Sequence, residues 1–449
     1  MRTRILNRLH RVAPMAALVV AGSVAACSDF LVAENPGAIE ATDLNDPRYA
    51  SLIANGVQGE FQPMVGFVTW WNAIFTDELF NRAVFFEEGL IDRRDIAPEN
   101  GTYSFFYYGN LHRTRFLAED GAARLRVILG DTASRDLRLA RTLAYGGLTY
   151  VYFAEALCEV PIDLSAPLPP DSLFERAIVR FDEAIAVATA ARDHFNAQTP
   201  VPTNSVAAAD SLINFARVGA ARAYLGLDDK PKAIEYASQV AANFEFRAYF
   251  SANSTRENNW MWNRIGTGIG NNGTMANTPF DAIVGDPRIP RRGGTGVTAP
   301  IPHSPPSYSS YTGTLAGATF VQGGFMRIAS SLEAQYIVAE AEGPTAATNT
   351  FVNTRRAAGM QLPVTLTGDE LMAELREQRK RDFYLDNHRL GDLRRYKRYY
   401  GIDMFPKGLY PGTTTGETYK DDISCWPLPI SEINDNPNVP KPYTPPPGP

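Results

Sequence analysis

Catalysis would require a nucleophile, a base or metal ligands at fixed spacings, and this chain offers few of them. Its five histidines, at positions 10, 112, 194, 303 and 388, share no metal-ligand spacing, and there is no G-x-S-x-G elbow, H-E-x-x-H pair or P-loop. The nearest candidate is the pair Asp77 and Glu78, because glycoside hydrolysis uses two carboxylates whose separation only a tertiary structure reveals. We interpret it as a helix-start or surface pair and predict a protein that is not an enzyme and has no cofactor or metal ion; whether calcium shapes a loop is left open.

Three stretches combine aromatic rings with amide, carboxylate or guanidinium groups: residues 67–82 (FVTWWNAIFTDELFNR), 257–264 (ENNWMWNR) and 307–311 (SYSSY). A flat ring beside a few polar groups suits a ligand with apolar faces and polar edges. In the second stretch, the two indoles would share one side if the backbone were extended. The alternative is that these rings are packing residues or anchors of a protein interface. The candidate ligand-binding residues are Trp70, Trp71, Asn72, Asp77, Asn81, Trp260, Trp262, Arg264, Tyr308 and Tyr311.

The N-terminus has the pattern of a secretory signal that ends at a cysteine. Four arginines precede an uncharged run from Val12 to Ala26, which is too short and too interrupted to cross a membrane as a helix. The quartet Val24-Ala25-Ala26-Cys27 is similar to a bacterial lipobox, so we predict that residues 1–26 are removed and that Cys27 carries the lipid anchor. Because no aspartate follows Cys27 directly, the outer membrane is the favoured destination. The alternative is an ordinary secreted protein.

Composition argues against nucleic acid as a partner and does not decide whether the cysteines form a disulfide. The 449-residue chain has a net charge of −6, which becomes −10 once the four arginines of the signal are removed. A net negative chain without basic clusters argues against nucleic acid, whose binding depends on Lys and Arg. Apart from Cys27, the remaining cysteines are Cys158 and Cys425. They either form a disulfide or remain two buried thiols, and the sequence does not decide between these states.

The middle of the chain is rich in alanine and helical in period. In residues 172–190, Ile178, Phe181, Ile185 and Ala188 recur at spacings of three and four, which places them on one helix face. Residues 215–243 predict two helices joined at Gly226 and Asp228 to Pro231, similar to a tetratricopeptide pair. Two further pairs are predicted: 134–158 with 172–190, and 327–342 with 345–358.

The rest of the chain predicts irregular insertions in this helical frame. Residues 251–326 are dense in Gly, Asn, Pro and Thr and show neither helix nor strand periodicity, which is typical of functional loops. We therefore expect a helical scaffold at roughly 134–243 and 327–396, and a loop-rich ligand or partner region at roughly 40–115 and 251–326. The stretch 103–109 (YSFFYYG) is interpreted as core.

An arginine-rich segment, residues 375–396 (LREQRKRDFYLDNHRLGDLRRY), interleaves seven basic residues with acids. We interpret it as a solvated, salt-bridged helix face of the scaffold, because the interleaved acids would cancel the field that an anion site needs. The alternative is an anion-binding cluster.

The C-terminal third resembles the SusD/RagB family of outer-membrane nutrient-binding lipoproteins. The resemblance rests on three segments that occur in the order typical of the family. When the lipobox and helix pairs are included, the resemblance extends over nearly the whole mature chain. In place of the Glu-Gly that is usual in the family, this chain has Asp386-Asn387-His388, and it is short for the family. The matching residues are Ala339-Glu340-Ala341, Asn353, Arg355 and Gly359; Arg389, Asp392 and Leu393; and Pro427-Leu428-Pro429, Glu432, Asn436 and Pro437.

The resemblance implies a mainly α fold, a SusD-like α-α superhelix with tetratricopeptide-like helix pairs and long irregular loops, as a single domain over residues 27–449. It also implies a lipid-anchored, surface-exposed outer-membrane protein that binds a nutrient, commonly an oligosaccharide, and delivers it to a TonB-dependent β-barrel transporter of the SusC-like kind. Sugar rings have apolar faces and polar rims, so the aromatic stretches are the expected contacts. A glycan and a peptide remain open as ligands, and the alternative function is an envelope tetratricopeptide-like scaffold for peptide or protein partners.

Overall fold

The computed structural model describes residues 43–81, 85–265, 272–292, 301–302, 322–410 and 416–446. The chain divides into two units, residues 1–46 and 47–449. In the first unit, the described residues contain one 3₁₀ turn, Asp43–Asn45. The prediction that the domain boundary follows residue 26 stays a prediction, and Cys27, Tyr308 and Tyr311 lie outside the described residues.

Helices dominate the second unit, as predicted for a mainly α fold. Its described α-helices are α1 Ala50–Phe75, α2 Phe86–Asp92, α3 Gly109–Leu129, α4 Leu137–Ala156, α5 Pro170–Asn196, α6 Thr203–Gly226, α7 Lys230–Ala237, α8 Trp260–Ile265, α9 Ser331–Glu342, α10 Ala346–Ala358, α11 Gly368–Asp382, α12 Arg389–Tyr400 and α13 Ile430–Asp435. A π-helix, Tyr103–Tyr108, runs directly into α3, and 3₁₀ helices occupy Pro47–Tyr49 and Gly130–Arg135.

The described strands are short and form three antiparallel two-stranded sheets. They are β1 Phe80–Asn81, β2 Glu245–Phe250, β3 Gly273–Thr274, β4 Arg291–Arg292, β5 Ile301–Pro302 and β6 Gly324–Ser330. The pairs are β1 with β3, β2 with β6, and β4 with β5. The β2–β6 pair is the longest and runs from Glu245 opposite Ser330 to Phe250 opposite Gly324.

The predicted helix pairs are confirmed, and consecutive helices from α4 to α7 pack on one another, with α9 continuing the stack against α7. The turn predicted between residues 226 and 231 lies where expected: α6 ends at Gly226, and the Asp229 side chain caps α7 by accepting from the amide of Lys232. Pro231 lies in the first turn of α7, where its missing N–H costs no hydrogen bond.

Glycines at the helix crossings allow the close approach of the scaffold helices. Phe181 of α5 lies between Gly147 of α4 and Gly219 of α6, and is fully buried. A Cβ atom on Gly219 would lie 2.2 Å from the Phe181 ring, and one on Gly147 would lie 2.8 Å from it. The periodicity predicted that Phe181 faces the core, and the two glycines explain how a full phenyl ring fits between three helices.

Two expectations about the fold are wrong. Residues 50–75, placed in a loop-rich region, form the 26-residue helix α1, whose second half is almost entirely buried. Residues 327–330, assigned to a helix, belong to strand β6, because their backbone pairs with β2. Helix α9 begins only after Ser330, whose side chain accepts from the amide of Glu333; this serine and glutamate form a capping signal that marks the true start.

Cys158 and Cys425, whose state the sequence left undecided, form a disulfide across 267 residues. The bond joins the end of α4 to the C-terminal segment, and neighbouring backbone groups pair as well: the Cys158 amide donates to the Trp426 carbonyl at 2.9 Å, and the Trp426 amide donates to the Ala156 carbonyl at 3.0 Å. The C-terminal segment is therefore fixed onto the scaffold both covalently and by hydrogen bonds.

Within the residues that the structure describes, none of the helices combines the length and the apolar character that a membrane span requires.

Gly219→Ala should destabilise the protein, because its Cβ would overlap the Phe181 ring and overpacking typically costs about 1–3 kcal/mol. The matched control is Gly59→Ala in α1, where an added Cβ meets nothing within 4 Å and the substitution should stabilise the helix by up to about 1 kcal/mol. Urea unfolding of both variants measures the two free energies. Equal effects of the two alanines would contradict the packing described for α5.

Candidate functional site

The first group of predicted ligand residues lies in the protein core. Trp70 and Trp71 are 0% and 1% exposed, so neither indole reaches solvent in this conformation. Asn72 is also buried, and its side-chain oxygen accepts from the Tyr107 hydroxyl at 2.7 Å and from the Trp426 indole at 3.2 Å. These residues support the surrounding elements rather than forming a surface.

The carboxylates at the end of α1 are buried as well, so the interpretation of Asp77 and Glu78 as a helix-start or surface pair is wrong. Both oxygens of Asp77 accept from Arg389, each at 2.6 Å. Glu78 accepts from the amide of Leu385 at 2.7 Å. Burial raises the pKa of Glu78 to about 8, and the neighbouring Asp77 adds to this shift, while the Leu385 amide and Arg389 oppose it. Asn81, also buried, donates from its backbone amide to Asp92 at 2.7 Å.

The second group of predicted residues lies on helix α8 rather than on an extended segment, so Trp260 and Trp262 do not share one side. Both indoles are half-buried. Arg264 is buried and forms an ion pair with Glu88 of α2. Its guanidinium lies over three indoles, 4.9 Å from the ring centre of Trp70, 5.9 Å from that of Trp71 and 5.7 Å from that of Trp260. Arg264 thus connects the half-buried Trp260 to the buried pair on α1.

Trp260 belongs to an aromatic platform, which we define as Phe67, Phe105, Phe106 and Trp260. Trp260 and Phe67 have ring centres 4.4 Å apart, and Phe106 lies 6.2 Å from each of them. Phe105 packs edge-on against Phe106 at 5.0 Å and is 69% exposed. The Trp260 indole N–H has no hydrogen-bond partner among the described groups. That nitrogen is itself buried, so the platform offers ring surface rather than a polar donor.

The π-helix explains why Phe105 of the platform faces outward. On its inner side, Tyr103 and Tyr107 stack on the buried Trp426, with ring centres 5.1 Å and 4.3 Å away, and the Tyr103 hydroxyl donates to the Pro427 carbonyl. These two tyrosines fix the inner face, so Phe105 between them is directed to solvent. Single π-helical turns of this kind are frequent at functional sites.

Helix α2 brings further exposed aromatic surface to the region near the π-helix. Glu87 accepts from the amides of Gly101 at 3.2 Å and Thr102 at 2.7 Å, immediately before the π-helix. These bonds lower the pKa of Glu87, the Thr102 hydroxyl contributing most. Next to Glu87 along the chain, Phe85 and Phe86 are 55% and 77% exposed.

A cavity of about 380 Å³ opens at the C-terminal end of α1. Asp77, Phe80, Asn277, Lys407 and Tyr419 are among the residues that line it. It combines two aromatic rings with amide and ammonium groups, but the Asp77 carboxylate is already fully engaged with Arg389.

A third concave surface lies on the helical scaffold, between α7, α9 and α10. Its volume is about 350 Å³, and its lining is mostly apolar, with Val240, Val338 and Phe351 among the larger side chains. It is the kind of groove that the tetratricopeptide-like alternative would use for a peptide.

The arginine-rich segment is buried, so the interpretation of a solvated helix face is wrong, although its partners are scaffold groups as expected. Asp392 of α12 accepts from Arg379 and Arg395, both at 2.8 Å, and Arg395 also donates to Glu340 of α9. Arg394 donates to the carbonyls of Ala154 and Leu157, which end α4. Arginines 379, 389, 394 and 395 are all less than 9% exposed.

This segment is two helices rather than one. Between α11 and α12 the backbone turns at Leu385 and Asn387, both with φ of 56°. Asn387 follows Asp386 at the position where the sequence departs from the family pattern; asparagine tolerates this left-handed conformation better than most residues. Asp386 accepts from Arg327 of β6 at 2.6 Å, and burial raises the pKa of Asp386 to about 7.

Across the described part of the chain, no group of three or more His, Cys, Asp or Glu side chains is arranged to hold a metal ion.

Sequence reasoning missed three of the four platform residues. Residues 103–109 were interpreted as core, and this holds for Tyr103, Tyr107 and Tyr108 but not for the exposed Phe105. The available signal was the run of five aromatic residues in six, since one face of a helix cannot bury all of them.

Comparison with known proteins relates the C-terminal part of the chain and the fold to one family. Residues 333–443 match the model of the SusD family. A search of curated proteins finds no match. A SusD superfamily protein from Bacteroides vulgatus superposes with a TM-score of 0.60 at 15% identity, covering 88% of this chain and 100% of the other.

Two further solved structures have the same fold. A SusD-like carbohydrate binding protein from Bacteroides fragilis gives a TM-score of 0.58 at 13% identity, covering 88% of this chain and 99% of its own. A laminarin binding SusD-like protein gives 0.52 at 13% identity, covering 89% and 100%. The predicted SusD-like helical fold is confirmed by these superpositions.

Glu78→Gln should change how stability depends on pH. The folded-state pKa of Glu78, about 8, lies above the ordinary value of 4.5, so the folded protein keeps a proton that the unfolded chain has lost between these values. Raising the pH through this window therefore destabilises the wild type by up to about 1.4 kcal/mol per pH unit through this group. Because glutamine stays neutral, the variant should gain unfolding free energy relative to the wild type as the pH rises, as measured by urea unfolding from about pH 5 to about pH 8.

The matched control is Glu87→Gln, because the pKa of Glu87 is lowered and its carboxylate is ionised in both states over this range. The difference in unfolding free energy between this variant and the wild type should not change with pH. A Glu78→Gln curve parallel to that of the wild type would contradict the neutral, buried carboxyl.

Proposed function

We propose that this chain, which is a member of the SusD/RagB family, binds a nutrient oligosaccharide on its aromatic platform and delivers it to a TonB-dependent β-barrel transporter. The single observation that carries the proposal is the platform itself. Three of its four residues form a connected set of rings, and Phe105 extends that set into solvent at 69% exposure. Large exposed ring surfaces on a monomer usually mark a binding site.

The chemistry of the platform suits a sugar. The C–H faces of a pyranose ring pack on aromatic rings, and its hydroxyls accept or donate hydrogen bonds at the edge. Structural neighbours are described as carbohydrate binding and laminarin binding, which supports a glycan as the ligand here. A binding protein that passes its ligand on requires contacts of this kind and no reacting groups.

Of the sequence candidates, Trp260 and Arg264 keep a place in this proposal. Trp260 contacts the ligand, and Arg264 holds Trp260 in position through Glu88 and the buried indoles. Trp262 remains a candidate on α8, and Tyr308 and Tyr311, which lie outside the described residues, stay predictions. For Trp70, Trp71, Asn72, Asp77 and Asn81 we propose a supporting role, because they are buried and several of them hold the elements that carry the platform.

The membrane anchor and the transporter form the second part of the proposal. A lipid on Cys27 would hold the protein at the outer membrane, and surface exposure would bring the protein into contact with external glycans.

A second candidate function rests on the apolar groove between α7, α9 and α10, which has the size and lining of a peptide site. In that case the protein is an envelope scaffold, and the ligand is a peptide or a protein segment rather than a glycan.

Trp260→Ala and Phe105→Ala should each weaken oligosaccharide binding by about tenfold, since one stacking contact is worth about 1–1.5 kcal/mol. The measurement is calorimetric titration with laminari-, malto- and xylo-oligosaccharides, after an array has shown which series the wild type binds. The control is Phe116→Ala, which removes a phenylalanine that is 54% exposed from α3, outside the platform. Binding of a peptide library but of no glycan, lost in Val338→Arg, would instead establish the scaffold function.

Cys27→Ser should release the protein from the membrane, because it removes the thiol that receives the lipid. Fractionation of cells and mass spectrometry of the wild-type N-terminus measure the anchor, and affinity purification from native outer membranes measures the partner. The expected result is an acylated cysteine and a co-purifying TonB-dependent barrel. An unlipidated, soluble wild type that purifies without such a barrel would contradict this part of the proposal.

A further inference from the structure

A groove of about 450 Å³ runs beside the first half of α1, opposite the end of strand β2. We propose that the ligand is an extended, neutral oligosaccharide that continues from the aromatic platform into this groove, which we call the α1 groove. It is lined by Gly56, Gly59, Gln62 and Pro63 on α1 and by Tyr249, Phe250, Ser251, Arg256 and Glu257. The inference rests on the proposed function and adds the length and charge class of its substrate.

The groove and the platform lie along one face of the same helix. Gly56, Gly59, Pro63 and Phe67 follow one another at spacings of three, four and four residues, which places them in one stripe along α1. The stripe spans eleven residues, or about 16 Å at the helical rise. That distance is longer than a single sugar ring, so a ligand that covers both surfaces must be a chain.

Two side chains connect the groove to the platform at Gly66. A Cβ atom on Gly66 would lie 3.1 Å from Cβ of Trp260 and 3.6 Å from the Phe250 ring. Trp260 belongs to the platform and Phe250 lines the groove, and both approach α1 at the same glycine. Gly66 therefore has a packing reason to lack a side chain.

Gly56 and Gly59 have no such reason. A Cβ atom at either position would meet nothing within 4 Å. Glycine inside a helix is less stable than alanine, so two of them on an open face weaken α1 without improving its packing. What they provide is an unobstructed floor where a ligand can approach the backbone.

Pro63 gives that floor a hydrogen-bond acceptor. In an α-helix the carbonyl of residue 59 would accept from the amide of residue 63, but proline has no N–H to donate. The Gly59 carbonyl thus lacks its regular i+4 donor at a position without a side chain. A sugar hydroxyl is a donor of suitable size for such a carbonyl.

The opposite wall of the groove supplies a ring and both kinds of polar group. Tyr249 is 56% exposed, and Arg256 and Glu257 contribute a donor and an acceptor. Glu60, which is buried, forms ion pairs with Arg256 and Arg113. The lining thus carries one arginine and one glutamate, and Arg256 is also paired with Glu60 behind it, so the groove has no excess of positive charge and favours an uncharged, hydroxyl-rich ligand over an acidic glycan.

The test uses the full chain and a ladder of laminari-, malto- and xylo-oligosaccharides from disaccharide to heptasaccharide, measured by calorimetric titration. In the series that the wild type binds, affinity should rise with length beyond the disaccharide. Gly59→Phe, which fills the groove, should weaken heptasaccharide binding by about tenfold and leave the disaccharide within about twofold. Uronate-containing oligomers of matched length should bind more weakly than neutral ones.

Pro63→Ala provides a second test in case the added phenyl ring of Gly59→Phe disturbs the fold by itself. Its new amide would bond the Gly59 carbonyl, so the helix should become more stable while the gain in affinity with length diminishes. Ala208→Phe, at an exposed position of α6, is the control for added aromatic bulk.

The outcomes separate this inference from the proposed function. If Trp260→Ala loses binding while Gly59→Phe and Pro63→Ala bind the heptasaccharide like the wild type, the α1 groove is not a subsite and the inference is wrong, although the platform stands. If the uronate oligomers bound more tightly than the neutral ones, the inference that the ligand is uncharged would be wrong. If the wild type binds no member of any series, the proposed function fails and this inference fails with it.

Discussion

The pairing of buried arginines with buried carboxylates around residues 379–395 is the constraint on which the rest of the structure depends. Arg389 of α12 holds Asp77 at the end of α1, Arg395 holds Glu340 of α9, and Arg327 of β6 holds Asp386 in the turn. Replacing such a pair by apolar residues is often harmless, but removing one partner costs about 3–5 kcal/mol, because the other charge stays buried. The network therefore fixes which elements meet: helix α1, the scaffold helices and the β2–β6 sheet are joined through one segment.

From this network, uncharged groups extend the support to the aromatic platform, the proposed ligand surface. Asn72, nine residues after Pro63 on α1, bonds Asn387 at 2.8 Å as well as Tyr107 and Trp426. Trp426 is fixed by the adjacent disulfide and supports the tyrosines of the π-helix, which in turn direct Phe105 outward. The platform rings are thus held by a continuous set of packed and hydrogen-bonded residues, so a ligand that binds as proposed would meet a surface that needs little ordering.

The sequence predicted the elements whose signals are local and missed those that tertiary contacts decide. The helix pairs between residues 134 and 243 follow from periodicity, capping by Asp229 and the position of Pro231, which are properties of neighbouring residues. Burial of the arginine-rich segment depends on carboxylates up to 312 residues away, such as Asp77, and no charge pattern reveals it. For the same reason, Trp70 and Trp71 were candidates for ligand contact, whereas the actual ring surface comes from residues 67, 105, 106 and 260, which only the fold brings together. The α1 groove exists because the described residues leave the space beside Gly56 and Gly59 open. A sequence cannot show that this space is unfilled.

The most direct test of this account is a crystal structure of the protein with the longest oligosaccharide that it binds. The account predicts sugar rings stacked on Phe105 and Trp260, with the chain running along α1 and a hydroxyl within hydrogen-bond distance of the Gly59 carbonyl. A glycan bound only in the cavity at the end of α1, or on the scaffold helices with the platform bare, would contradict it.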